Sequence, residues 1–467
     1  MKLKLLNRNF YNSSFKNSDS LREVINYMTQ RTPLSNIIYI GNIDQNIINN
    51  ISPSTSLYFV GDKKLFRNVI PENLILLDSN LSKGLPKIED EILKESIVIL
   101  DSVIEAIPNP SRLIKDLVKW QDIVPCILIS TADIKRTKVK KGWDLKEYKD
   151  YLSTKGLHAG FYGYFPRQLY EEKKDILYIG GRLSNPSLKR KPLKVCAIIS
   201  TYNEEDIIEQ VCLYLLQQGI DIHIIDNWSD DNTLSIVKDV GKKSKNLTYE
   251  LFPDEKKSDY EWEKILKRKI EYAKVNNYDW YIHYDADEIR ESCWNSSLKE
   301  GIERVDELGF NAVDHSVVDF RPVQDGFNKD KDPEEYFKYF EFGKRPGHFS
   351  QVKAWKNIEG IDFDLSSSGG HAVSFEDIKI FPYKFLLKHY PLRSLKHMKK
   401  KIYKERLPRF ENEKKELGWH THYDKYLGKE NDLKLWEEKD LDEFKGKFYE
   451  EFILERIFGI NIKKQDI

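Results

Sequence analysis

The chain has 467 residues, 75 of them basic and 75 acidic, with a formal net charge of zero. That length exceeds one ordinary hydrophobic core and favours two or three domains. The balanced charge argues against a dedicated nucleic-acid binder, which needs a basic excess to meet a phosphate backbone. Cys126, Cys196, Cys212 and Cys293 stand far apart with no C-x-x-C pair, which speaks against a zinc site or a disulfide framework. No apolar run reaches the roughly 18 residues of a membrane span, and residues 1–10 lack the apolar core of a leader. A cytoplasmic protein is expected, with room for peripheral docking at the inner face of a membrane.

After a polar lead-in and a short helix, strands and helices alternate. Asn36 to Gly41, Leu57 to Asp62, Leu74 to Asp78 and Ser96 to Asp101 are apolar runs ending in glycine or an acid. Helical spacing follows over Ser111 to Val118, then another strand over Cys126 to Ser130. Such alternation predicts a mostly parallel, doubly wound sheet.

This first part resembles the class I methyltransferase fold, most clearly from Ile99 to Pro110 (ILDSVIEAIPNP), a segment which in that family follows the fourth strand. Asp62 stands where the resemblance implies a ribose-binding acid. The family's glycine-rich turn is reduced to Ile40-Gly41-Asn42-Ile43-Asp44, with one glycine, so side chains should crowd S-adenosylmethionine. The domain is therefore read as degenerate, and that cofactor is not expected.

Between about 170 and 192 the composition shifts to Lys, Arg, Ser, Gly and Pro, which marks a linker. Val195 to Ser200 then reads as a buried strand. The polar cluster Thr201-Tyr202-Asn203-Glu204-Glu205 caps an amphipathic helix through Ile207, Ile208, Val211, Leu215 and Leu216. A second strand ends in Asp226, and a third, Tyr281 to Tyr284, runs into Asp285-Ala286-Asp287-Glu288. Asp285 and Asp287 are two residues apart, so in an extended tip they point the same way and repel unless a cation sits between them. A divalent metal carrying a diphosphate suits that position.

Taken together, Ser200-Thr201-Tyr202-Asn203-Glu204, then Ile225 to Ser229 with Asp231 and Thr233, then the D-x-D turn resemble a family 2-type glycosyltransferase of the GT-A fold. The resemblance covers about 194–400. It implies a nucleotide-sugar donor at the strand tips, held by residues 200–204, with Asp226 facing the nucleobase and Asp285 and Asp287 holding Mn2+ or Mg2+. It also implies a metal-ligating histidine from the C-terminal half: His371 of the Gly369-Gly370-His371 turn, or His389. Arg268 and Lys269, on the helix before the turn, and Arg393 are available for phosphate. An inverting reaction needs a carboxylate base, and Asp319 and Asp325, where a strand leaves the core, are preferred over Glu376-Asp377.

Aromatic residues from Tyr336 to Phe342 could line an acceptor, and Trp419, His420, His422 and Tyr423 a lip beside it. The basic run Lys396, Lys399, Lys400 and Lys401 reads as a solvated helix face before it reads as a membrane contact. The expected α/β architecture is thus a Rossmann-like, methyltransferase-like sheet over 1–175 and a linker over 176–192. A GT-A glycosyltransferase domain follows over 193–400, and a helical segment over 401–467. The expected activity is transfer of a sugar from a nucleotide donor to a glycan or lipid-linked acceptor in bacterial surface polysaccharide synthesis. A bifunctional methyltransferase and a sugar-nucleotide-binding scaffold are the rivals.

Overall fold

The computed structural model describes residues 19–32, 34–41, 54–61, 73–135, 142–167, 174–185, 192–256, 259–343, 351–419 and 421–460. They form two compact units, one from residues 19–185 with 447–460, the other from 192–446.

The first unit is built on seven strands: β1 (Asn36–Gly41), β2 (Ser56–Gly61), β3 (Leu74–Asp78), β4 (Ser96–Asp101), β5 (Cys126–Thr131), β6 (Phe161–Pro166) and β7 (Lys174–Gly180). Their order is β3-β2-β1-β4-β5-β7-β6. The first five run parallel, and β7 lies antiparallel to both β5 and β6. β1, β4 and β5 are buried along almost their whole length, as strands covered on both faces must be. Leu113, Ile114 and Leu117, spaced along one face of the Ser111–Trp120 helix, share a core with Val98, Leu100, Ile127 and Ile129. This is the mostly parallel sheet that the alternation predicts.

Asp62 and Asn42 to Asp44 lie outside the described residues. Gly41 lies within them, at φ +116, and a Cβ there would come within 2.5 Å of Val103 Cγ2. Only glycine serves at that close approach. At the tip of β4, Arg167 grips both oxygens of Asp101 at 3.0 and 3.1 Å, and Ser130 Oγ donates to the same carboxylate at 2.6 Å.

Two features of this unit are not in the sequence reading. The stretch expected as a linker, 176–192, begins inside β7, a strand buried from Asp175 to Gly180. The chain also returns to this sheet at its end. Helices Phe448–Glu451 and Ile453–Phe458 pack on β6, with Ile453, Leu454 and Ile457 fully buried and Phe458 edge-on to Tyr27 at 5.6 Å.

The second unit holds two sheets. The first combines β8 (Val195–Thr201), β9 (Asp221–Asp226), β10 (Leu247–Leu251), β11 (Trp280–Asp285), β13 (Ala312–Val313) and β16 (Ala354–Lys356) in the order β10-β9-β8-β11-β16-β13. The second combines β12 (Glu288–Glu291), β14 (His315–Phe320), β15 (Tyr339–Phe342), β17 (Phe385–His389) and β18 (Asp442–Glu443) in the order β12-β17-β14-β15-β18. Asp285 ends β11 in one sheet and Glu288 begins β12 in the other. The D-x-D turn is therefore the splice between the two sheets.

The close contact under β6 is testable. A Cβ on Gly163 would meet the Glu450 carbonyl oxygen at 2.4 Å, so Gly163→Ala should push residues 447–458 off the strand and cost about 1–3 kcal/mol, the usual range for overpacking. Denaturant unfolding should report that loss, and limited proteolysis should cut near 447 earlier than in the wild type.

Candidate functional site

The site is assembled at the carboxyl ends of β8, β9 and β11, where parallel strands leave their last residues open to a crevice. In register, Thr201 lies beside Asp226, and Ser200 beside Asp285. Asp226 is fully buried. It accepts from Thr201 Oγ1 at 2.8 Å, Ser229 N at 2.9 Å and Ser229 Oγ at 2.7 Å. It thus ties Thr201 of the first loop to Ser229 of the second.

Asn203 sits at φ +59 and locks the same two loops: its Oδ1 accepts from Asp230 N at 2.7 Å and its Nδ2 donates to Glu405 at 2.8 Å. Tyr202 donates to Asp230 at 3.1 Å, and the Arg409 guanidinium lies over its ring at 3.9 Å.

The two acids of the D-x-D turn point to different cations. Asp285 meets Lys353 Nζ at 2.6 Å, and that buried lysine also donates to Glu288 at 2.9 Å. Asp287 meets Lys401 Nζ at 2.8 Å, with Arg393 4.0 Å away. Burial works to raise both carboxyls. These ammonium and guanidinium groups, with His283 beside Asp285 and His389 beside Asp287, outweigh it and hold both below the usual range. Beneath the turn, Lys269 is fully buried, donating to His283 Nδ1 at 2.8 Å and to the Tyr284 carbonyl at 3.0 Å. Burial pulls its pKa down to about 7.

His389 is the histidine that stands at this turn. The register places it between Glu288 of β12 and Asp319 of β14. Its Nδ1 bonds Asp319 at 2.7 Å, and its Nε2, on a partly exposed ring, lies 3.7 Å from Asp287 Oδ1. A carboxylate on one ring nitrogen, with the other aimed at a second carboxylate, is how proteins orient a metal-ligating histidine. Carboxylate oxygen suits Mn2+ or Mg2+, and imidazole is a common nitrogen ligand of divalent metals. Asp287 and His389 therefore fit a divalent ion. His389 is held above its ordinary pKa, since Asp287 and Asp319 overcome the opposing effect of burial. A metal at Nε2 would have to displace a proton.

Other nominated residues stand elsewhere. His371 is exposed, with Nδ1 3.0 Å from Gln351 Nε2. Arg268 forks onto Glu250 at 2.9 and 2.8 Å, which commits its guanidinium to a partner on β10. Asp319 is buried between His389 and Arg321, so it orients the imidazole and is not placed to meet an acceptor hydroxyl. Asp325 is exposed and accepts from Leu395 N at 3.0 Å.

Arg393 is fully buried and bonds Glu204 and Asp206. Glu204, Asp206 and His397 bring ligand atoms within 4.8 Å of one another. The Arg393 guanidinium already fills that seat, however, bonding all three, with His397 Nε2 at 2.9 Å. Lys353 and Lys401 escape a sequence reading because their burial reverses what their charge suggests. The one signal for Lys353 is its place inside an otherwise apolar run, Val352 to Trp355.

Residues 196–349 match the family Glycosyl transferase family 2. No curated protein matches the chain. Among solved structures, the mannosyltransferase PcManGT from Pyrobaculum calidifontis, in complex with GDP-Man and Mn2+, is 19% identical over 28% of this chain and 39% of its own, with a TM-score of 0.22. A SAM dependent methyltransferase from Aquifex aeolicus is 10% identical over 34% of this chain and 90% of its own, with a TM-score of 0.26. An O-methyltransferase family protein from Burkholderia thailandensis is 11% identical over 35% and 55%, with a TM-score of 0.25. The family match takes in both loops and the D-x-D turn; His389, Arg393 and Lys401 lie beyond it.

Removing one partner of a buried ion pair strands the other charge, at a cost of about 3–5 kcal/mol. Lys353→Met should lose about that much stability at pH 7. Asp285 is depressed in the folded wild type, so its stabilising contribution is present above its unfolded pKa of about 4 and fades as pH falls below that. The deficit of the variant should therefore hold from pH 7 down to about pH 4 and shrink below it, as read by urea unfolding at pH 7 and at about pH 3.

Proposed function

We propose that the glycosyl transferase family 2 domain, extended through the residues that follow it to 446, is a metal-dependent, inverting glycosyltransferase. It moves a sugar from a nucleoside-diphosphate donor to a hydroxyl of a glycan or lipid-linked acceptor, in the assembly of a bacterial surface polysaccharide. The observation that carries this reading is the Asp319, His389 and Asp287 alignment at the D-x-D turn, with Nδ1 of the imidazole held and Nε2 turned to the carboxylate at 3.7 Å. It joins the family match to a place where a divalent ion fits.

Asp287 and His389 would hold Mn2+ or Mg2+, and that ion, when bound, supplies positive charge against the charge that develops on the departing diphosphate. The remaining work falls to the chain. Asp226 and Asn203 pin the two loops that border the crevice, so the groups that meet the donor are pre-positioned. Lys353 keeps Asp285 ionised and fixed. In the transfer itself the acceptor oxygen forms a bond to the anomeric carbon as that carbon's bond to the diphosphate oxygen breaks. The acceptor proton passes to a carboxylate, for which exposed Asp325 is the candidate, and the nucleoside diphosphate leaves. A single displacement inverts the anomeric centre.

A thermal-shift screen of UDP-, GDP- and dTDP-sugars and CMP-linked nucleotides, with and without Mn2+, tests the reading, because a ligand bound only by the native state raises its melting temperature. One nucleotide class should shift the wild type in a metal-dependent manner, and Asp287→Ala should abolish the shift. Asp319→Asn should weaken Mn2+ binding by about 10–100-fold, the usual effect of losing the carboxylate behind a ligating histidine. A screen in which no nucleotide moves the wild type would sink the proposal.

A further inference from the structure

The segment after β17 carries a row of cations that ends on the loops of the site. Arg393 bonds Glu204 and Asp206, Lys400 meets Asp231 at 3.3 Å, and Lys401 joins Asp287 to Glu204 at 2.8 and 3.3 Å. Arg409 donates to Asn227 at 2.7 Å. Each loop that borders the crevice, and the D-x-D turn itself, thus has a basic partner from one stretch of chain.

Lys401, like Arg393 of the same row, is buried: it is only 4% exposed, which for a lysine calls for the paired carboxylates it has. It lies on a π-helical turn, Lys400–Arg406. That conformation is rare and concentrates at functional sites. Its neighbour Lys404, on the same turn, is exposed, so the turn directs one ammonium inward and leaves the other in solvent.

The geometry also poses a conflict. Asp287 gives Oδ1 to the side where His389 stands and Oδ2 to Lys401. A divalent ion drawing on Asp287 competes electrostatically with an ammonium at 2.8 Å from the same carboxylate. The lysine stem is flexible, with three donors on a compact charge, so its ammonium can exchange one anionic partner for another.

We propose that Lys401 is a diphosphate-binding residue which, before the donor arrives, is parked on Asp287 and Glu204. A divalent ion held by Asp287 would compete for that carboxylate, and the ammonium would then be left to the donor's phosphates. The ammonium thereby makes metal and diphosphate binding mutually dependent. This rests on the glycosyltransferase reading and assigns to its donor site a cation that the sequence presents as solvated surface.

Two variants test it, Lys401→Met and Lys401→Gln, the second keeping a hydrogen-bond donor for the two carboxylates so that a folded protein is at hand. Lys404→Ala is the control. Calorimetry would measure Mn2+ alone; then UDP, GDP and dTDP, the corresponding monophosphates, and inorganic pyrophosphate, each at saturating Mn2+. Expected for either variant is tighter binding of Mn2+ alone, since a competing cation is gone. The diphosphates and pyrophosphate should bind about tenfold more weakly or worse, as befits a lost charge-assisted hydrogen bond. Monophosphate binding and Lys404→Ala should stay near wild type.

Weakening of Mn2+ and every nucleotide alike would mark Lys401 as a structural ion-pair partner and overturn the proposal. Unchanged diphosphate affinity in a folded variant would do the same while leaving the glycosyltransferase reading intact. A wild type that binds none of the three diphosphates would remove both.

Discussion

The second unit depends on keeping ionised carboxylates at low exposure without letting them repel. Glu204, Asp206, Asp285, Asp287 and Glu288 gather around the ends of β8 and β11, and the chain meets them with Arg290, Lys353, Arg393 and Lys401 from other parts of the fold. Replacing such a network with apolar side chains can leave stability unchanged or higher. What it provides at a site is direction: a carboxylate with a fixed counter-charge has a fixed orientation. The two acids of the D-x-D turn face different cations because one lysine comes from just before β16 and the other from beyond β17.

The turn's position between two sheets explains which histidine reaches it. β12 starts immediately after the turn and pairs antiparallel with β17, which brings His389 opposite Glu288. The parallel pairing of β17 with β14 then sets Asp319 at its other side. Three residues separated by tens of positions become neighbours through two registers. A one-residue slip in either would send His389 to the opposite face.

These registers also mark where reading the sequence stops. Strands β1 to β5 and β8, β9 and β11 are legible, because each is an apolar run closed by an acid, a glycine or a polar loop. The family resemblance is legible for the same reason, since its loops follow directly on such strands. β6 and β7 are harder: Phe-Tyr-Gly-Tyr-Phe-Pro mixes aromatic residues with glycine and proline, and β7 opens with Lys-Asp inside a polar stretch. His371 and His389 look equally suited to a metal when only glycine turns and strand ends are counted. Their difference lies in a partner, Asp319, that no local spacing reveals. Lys401 sits in a run of basic residues whose average is a solvated surface. Burial is a property of the fold: Lys401 and Lys404 lie on the same π-helical turn, one buried and the other exposed.

The return of residues 447–460 to β6 makes the first unit discontinuous along the chain. A ribosome releases the sheet of β1 to β7 long before it releases the helices that cover β6, with the whole of 192–446 synthesised in between. Until then, Phe161 and the face around Gly163 await their cover, and the earlier-made unit is completed last. Residues 192–446 are in this sense an insertion: a nascent chain that stalls within them leaves the face of β6 uncovered on the part that was translated first.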